Sequence, residues 1–329
     1  MRVDVTGVSG PTPWAARGSA YRRTSRGYYL PASITNDSPE QRIIEAAEVL
    51  PSQGGVTGWA ALYWLGARWL TGTGAVGERR RVDLATGYCD ILSQAGFLVS
   101  QERLGPAELF VHDGLSLTDP LRSLYFAMRY AASVREAVVC ADMAAYDDIV
   151  SLDDLGAYCV TNRGWTGAPQ AREACALADE NAWSPKEVDT RLCWMLDAEL
   201  PRPLTNRPIF DRAGRHVGTP DLLDAEAGLV VEYQGAVHLD PVQRRADLGR
   251  EARFRALGLE TLDVMSGLSR AEVADRMRAA RARASFQAES SRPWTVEPPS
   301  WWVPTTSVRE RRALSEDQRR LMLGYRQIA

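Results

Sequence analysis

The sequence has almost no lysine: Lys186 is the single example, and arginine supplies the rest of the 39 basic residues. Histidine is also scarce, with His112, His216 and His238 only. The five cysteines, Cys89, Cys140, Cys159, Cys175 and Cys193, are odd in number and far apart, and no CxxC pair occurs. A structural zinc module needs Cys and His at short fixed spacings, so it is excluded, and reduced core thiols are expected. No run approaches the roughly 20 apolar residues of a membrane span, and the first residues lack the apolar stretch of a secretion signal. A soluble, cytoplasmic protein with no membrane partner is therefore expected. Net charge is equally slight, −3 from 42 acidic and 39 basic residues. Polyanion binding by bulk electrostatics is excluded, and any nucleic-acid surface must be local.

What is present is a chain of 329 residues, 45% hydrophobic, enough for two ordinary cores. Residues 1–36 form a basic segment in which Arg22, Arg23 and Arg26 precede the apolar Tyr28, Tyr29 and Leu30, a basic turn leading into a short strand. Residues 37–180 read as a mainly helical region with some strand. Ser38 and Pro39 open one helix, and "VTGWAALYWLG" reads as a second. Short strands are expected between Val82 and Val111. Asp119 with Pro120 opens a further helix, followed by helices near 134–146, after Ser151, and across "APQAREACALADENA".

Residues 181–286 read as an α/β unit. Ser184, Pro185 and Glu187 form the start of a helix, with Glu187 where the acid of a capping box belongs. A strand-turn-strand pattern follows, then helix, then the strand "LETLDVM", then an Arg-rich helix from Ser269. Residues 287–329 are a Pro- and Trp-rich tail, expected to run extended, and one short charged helix over residues 307–328. Trp294, Trp301 and Trp302 read as staples of that tail, with base stacking as the other use of such residues.

The chemistry resides in "GTPDLLDAEAGLVVEYQGAVHL". Asp221 is expected on one strand, "DAEAG" makes the turn, and "LVVEYQG" is the return strand. Side chains alternate along a strand, so Glu232 and Gln234 share a face, and a hairpin brings Asp221 beside them. Acids there need compensation, and a divalent ion with oxygen ligands provides it, polarising a phosphate and acidifying an attacking water.

These residues resemble the PD-(D/E)XK nuclease superfamily, especially its branch related to Vsr mismatch endonucleases. Pro220-Asp221 matches the "PD", Glu232 the central acid, Gly235 the glycine and His238 the histidine, and the Ser184 helix with Glu187 matches the first helix, over residues 184–265. The resemblance implies a restriction-endonuclease-like α/β domain with a central mixed sheet flanked by helices. It implies Mg²⁺ or Mn²⁺ on Asp221 and Glu232, with Glu187, Gln234 and His238 completing a catalytic set. Position 234 is Gln where the superfamily has Lys, which leaves open whether the domain cleaves or only binds. Lys186 is adjacent to Glu187 and so points about 100° away from it on a helix. Arg250 is the candidate for phosphate on the following helix, its other reading being a solvated ion-pairing position.

Upstream, "YRRTSRGYYLP", "VTGWAALYWLG", "GLSLTDPLRSLYFAMR" and "AVVCADMAAYDDIVSLDDL" resemble AbiEi-type antitoxin or regulator proteins. That resemblance implies a DNA-binding role for Arg22 and Arg23 in a partial winged-helix element. Together the two imply a DNA partner, double-stranded in the first instance, a partner toxin or a second copy, and a setting of defence, mobile elements or antitoxin regulation. The functions to weigh are a metal-dependent endonuclease and a non-cleaving DNA-binding regulator, with a protein–protein adaptor as the third.

Overall fold

The computed structural model describes residues 1–74, 77–235 and 241–324; side chains at 241–248 lie outside that description. The chain is α/β with mixed sheets and divides into two compact units, residues 1–132 with 154–172 and residues 133–153 with 173–329. Among the described residues no helix is long and apolar enough to cross a membrane.

The first unit holds a five-stranded sheet in the order Phe97–Ser100, Val82–Ala85, Gly55–Thr57, Leu115–Thr118, Leu109–His112. Its middle strand corrects the reading of "VTGWAALYWLG" as one helix. Gly55, Val56 and Thr57 are buried between two neighbouring strands, and the helix Gly58–Trp64 begins only after them. Gly58 makes the corner at φ 62°, and a Cβ there would lie 2.8 Å from Asp83 Oδ2, so only glycine suits the turn. The helices Pro39–Ala47 and Pro120–Arg129 start where their caps were read: Ser38 accepts from Gln41 N, and Asp119 accepts from Leu121 N. A separate hairpin, Tyr21–Ser25 with Tyr28–Pro31, turns at Gly27 with φ 85°.

The second unit is built on a four-stranded sheet in the order Glu260–Met265, Leu229–Gln234, Leu222–Asp224, Leu204–Thr205. Leu229–Gln234 runs parallel to Glu260–Met265, the two joined through the helix Pro241–Ala256, and antiparallel to Leu222–Asp224. Alternation along these strands sorts side chains to two faces. Leu222, Leu229, Val231 and Val264 join a core with Trp194, Val273 and Met277. Leu223 and Val230 join another with Phe254, Ile209 and Trp294.

The tail departs from its expected course only in its closing helix. Trp294–Thr295 forms an edge strand against Ile209–Asp211, a place that a Pro-rich segment tolerates because its outer side needs no partner. The single helix expected over 307–328 is two within the described residues, Val308–Arg312 and Glu316–Met322, because Ser315 with Gln318 forms a second capping box. The staple reading holds for Trp294, which is buried, and for Trp302, whose ring lies 5.0 Å from Phe210 and 5.1 Å from His216; Trp301 is largely exposed.

A carboxylate site on one sheet face

Asp221 sits one residue before the strand Leu222–Asp224 and not on it, a one-residue correction. Leu222 pairs with Val231 and Leu223 with Val230, so continuing the register by one step sets Asp221 opposite Glu232. Both acids belong to the face that carries Val230, as alternation requires. Asp221 is fixed at both ends: its carbonyl accepts from Asn206 N at 3.0 Å, and Oδ2 accepts from Tyr233 N–H at 2.6 Å. Burial pushes its carboxyl up to about 8, reinforced by the negative charge of Glu187 and of Glu232, against the opposing pull of the Tyr233 N–H and Arg250.

Glu187 enters from the first turn of the helix Pro185–Leu192. Ser184 caps that helix through Glu187 N at 3.2 Å, as the sequence pattern indicates. The carboxylate reaches one residue further back than a capping box requires: Oε2 accepts from Trp183 N at 2.8 Å, and Oε1 from the Ser184 hydroxyl at 3.0 Å. Oε2 also accepts from Asn206 Nδ2 at 2.7 Å. The helix is anchored behind the site by Arg191, which pairs with Asp142 on the helix Val134–Tyr146; both side chains are fully buried.

Glu232 is nearly buried and is held by Arg250, Nε to Oε1 at 2.8 Å and Nη2 to Oε2 at 3.2 Å. Arg250 reaches it because the helix Pro241–Ala256 comes down on Gly218, where a Cβ would meet the Phe254 ring at 2.7 Å and Arg250 Cγ at 3.2 Å. The guanidinium expected to serve phosphate is therefore engaged with the central acid. Gln234 shares the face of Glu232 and hydrogen-bonds the Asp263 carboxylate, whose pKa is raised by burial and by Glu251.

Asp263 was not singled out in the sequence. It pairs in register with Glu232 across the parallel strand, and the alternation of "LETLDVM" against "LVVEYQ" carries the signal once those strands are paired. Asn206 gives no such signal: it is a buried residue at φ 43° that ties Glu187 to Asp221. Lys186 lines a different cavity of about 220 Å³ with Tyr233, Val264 and Arg270, so it belongs to the opposite face and does not replace a lysine at 234. His238 lies outside the described residues.

In the first unit, Arg22 forms a bidentate ion pair with Glu45 and also donates to Ile34 O, so its guanidinium is committed within the fold. Arg23 is exposed and donates to Ser25 O at 3.1 Å.

The donor chemistry fits a hard divalent cation: oxygen ligands, surplus negative charge and little solvent. Among the described residues no three His, Cys, Asp or Glu side chains are grouped to hold an ion. Mg²⁺ commonly takes only one or two carboxylates and completes its shell with water and phosphate oxygens, and Asp221 and Glu232 are the two that would be offered to it. Arg250 does not exhaust Glu232, since a carboxylate offers about four lone-pair sites.

Comparison with protein-family models, with curated proteins and with solved structures finds no match for this chain.

Proposed function

We propose that the second unit is a PD-(D/E)XK-like nuclease domain that hydrolyses phosphodiester bonds in DNA with Mg²⁺ or Mn²⁺. The observation that carries this reading is the placing of Asp221 opposite Glu232 on one sheet face, pinned by the Tyr233 N–H and joined to Glu187 through Asn206, an enclosed carboxyl whose ionisation burial and its acidic neighbours resist and a divalent cation would favour. Asp221 and Glu232 would hold the cation, which supplies Lewis-acid polarisation of the scissile phosphate and a more acidic water. Gln234, tied to Asp263, orients a water or a phosphate oxygen without adding charge. Arg250, partly exposed beside Glu232, would bring positive charge to a neighbouring phosphate while it holds the acid. Glu187 keeps Asp221 a strong base once it is ionised.

A non-cleaving DNA-binding regulator is the second reading, favoured by two specifics. Arg250 closes on Glu232 as an internal counter-charge, and position 234 carries no cation. Supercoiled DNA incubated with the protein and Mg²⁺ or Mn²⁺ separates them. Nicking that disappears in Asp221→Ala and Glu232→Gln supports the nuclease. Salt-sensitive binding with no nicking favours the regulator, and nicking retained in Asp221→Ala overturns the assignment of the site.

A further inference from the structure

The first unit holds a cavity of about 400 Å³, walled by Trp59, Arg81, Asp83, Leu98, Phe126 and Tyr130 among others. That volume falls in the range of small-ligand sites, roughly 300–1,000 Å³. Asp83 lies on the strand Val82–Ala85, which is paired on both sides, so the part of this residue left open is its side chain. The carboxylate has no hydrogen-bond or ion-pair partner among the described residues, and neither oxygen is sealed from solvent. Gly58 locates it: a Cβ there would lie 2.8 Å from Asp83 Oδ2 and 3.3 Å from Phe126 Cδ1, so the acid and the ring edge meet over the glycine. Burial pushes the carboxyl up to about 7 against the pull of Arg80 and Arg81, neither of which contacts it.

Arg81, one residue ahead of the strand, continues the face of Asp83. Its carbonyl accepts from Trp59 Nε1 at 2.9 Å, which fixes the backbone. The guanidinium is exposed and has no partner among the described residues. The other charges of the wall are committed: Arg79 donates to Asp37 Oδ1 at 3.2 Å, and neither Glu78 nor Arg80 is free. One uncommitted acid and one uncommitted base thus stand two residues apart on one strand face, about 7 Å between Cα atoms, and do not pair with each other. Leu98 and Tyr130, both exposed, add apolar surface to the same cavity, and the Tyr130 hydroxyl is fixed on Glu102 at 2.7 Å.

We propose that this cavity binds a free α-amino acid with an apolar side chain, its ammonium on Asp83, its carboxylate on Arg81 and its side chain against Leu98, Phe126 and Tyr130. Each feature excludes a simpler guest. An anion alone leaves Asp83 unmet, a cation alone is repelled by Arg81, and a ligand without an apolar part leaves the wall uncovered. The ammonium supplies the charge-assisted donor that the carboxylate lacks. An α-amino acid carries both charges on one carbon, which suits partners set two residues apart. A nucleotide separates its base edge from its phosphate by a sugar.

The proposal is independent of the chemistry of the second unit. Calorimetric titration of the full chain near pH 8, where Asp83 is ionised, uses L-phenylalanine, phenethylamine, 3-phenylpropionate, glycine and guanosine 5′-monophosphate. One phenylalanine site per chain is expected, with every other probe weaker by at least about tenfold. Asp83→Asn should lower phenylalanine binding to the level of 3-phenylpropionate and leave 3-phenylpropionate no weaker. Arg81→Gln should lower it to the level of phenethylamine. Melting curves by circular dichroism check that both variants fold, and the wild-type series decides without them. Phenethylamine, 3-phenylpropionate or glycine binding as tightly as phenylalanine overturns the proposal, because one of the three recognition elements is then idle. Tighter binding of the nucleotide assigns the cavity to nucleotides and overturns the amino acid. No heat from phenylalanine up to millimolar concentration overturns the site itself.

Discussion

Tyr233 donates its backbone N–H to Oδ2 of Asp221 at 2.6 Å, so the strand that carries Glu232 also pins the acid facing it. The side chain just ahead of one strand thus takes a backbone donor of the next, and the two acids are held on one face by the hairpin. No flexible loop intervenes between Leu222–Asp224 and Leu229–Gln234 beyond the turn, where Asp224 accepts from Ala227 N at 3.0 Å and pairs with Arg281 at 2.7 Å.

This enclosure gives a pH signature. A carboxyl whose folded pKa lies above its unfolded value, near 4, keeps its proton better when folded, so stability is full at low pH and declines as pH rises from about 4 through the folded value. For Asp221 the decline runs up to about 8. Asp83 and Asp142, each pushed up to about 7 by burial, act in the same direction. Asp221→Asn removes one of these ionisations. Urea unfolding of the metal-free protein between pH 4 and 9 should therefore fall less steeply in Asp221→Asn than in the wild type; parallel curves would refute the enclosure.

Glu187 is the first charge acting on Asp221. In Glu187→Gln the Asp221 carboxyl should titrate at lower pH, followed by carboxyl ¹³C shifts. An unchanged midpoint would mean that the two acids do not sense each other.

Arg250→Ala leaves Glu232 nearly buried without its bidentate partner. A loss of about 1–3 kcal/mol is expected from chemical unfolding, the usual cost of an unmet buried group. No loss would indicate that the pair is solvated. Arg191→Ala should cost more, about 3–5 kcal/mol, because its partner Asp142 has no access to water.

Arg22 and Arg23 should separate cleanly. Arg22→Ala breaks the pair with Glu45 and lowers the melting temperature. Arg23→Ala should leave stability alone and, if the hairpin meets DNA, reduce the salt slope of binding by about 1.

Much of the local architecture was legible because its causes are local. Ser38, Asp119, Ser184 and Ser269 each cap the helix that follows them in the sequence pattern, since capping is decided within four residues. The shared face of Glu232 and Gln234 followed from strand alternation. The strand Gly55–Thr57 was hidden because its short apolar run continues into a helix, and only the positive φ of Gly58 marks the break. Arg250 on Glu232, Asp263 beside Gln234 and Asn206 between Glu187 and Asp221 depend on strand pairing and on a helix crossing 18 residues away, which no local pattern encodes.

Mn²⁺ binding followed by electron paramagnetic resonance near pH 8 tests the acid pair most directly. One bound ion per chain is expected in the wild type, weakened more than about tenfold in both Asp221→Asn and Glu232→Gln. Equal Mn²⁺ binding by the wild type and Asp221→Asn would contradict a cation held at this pair.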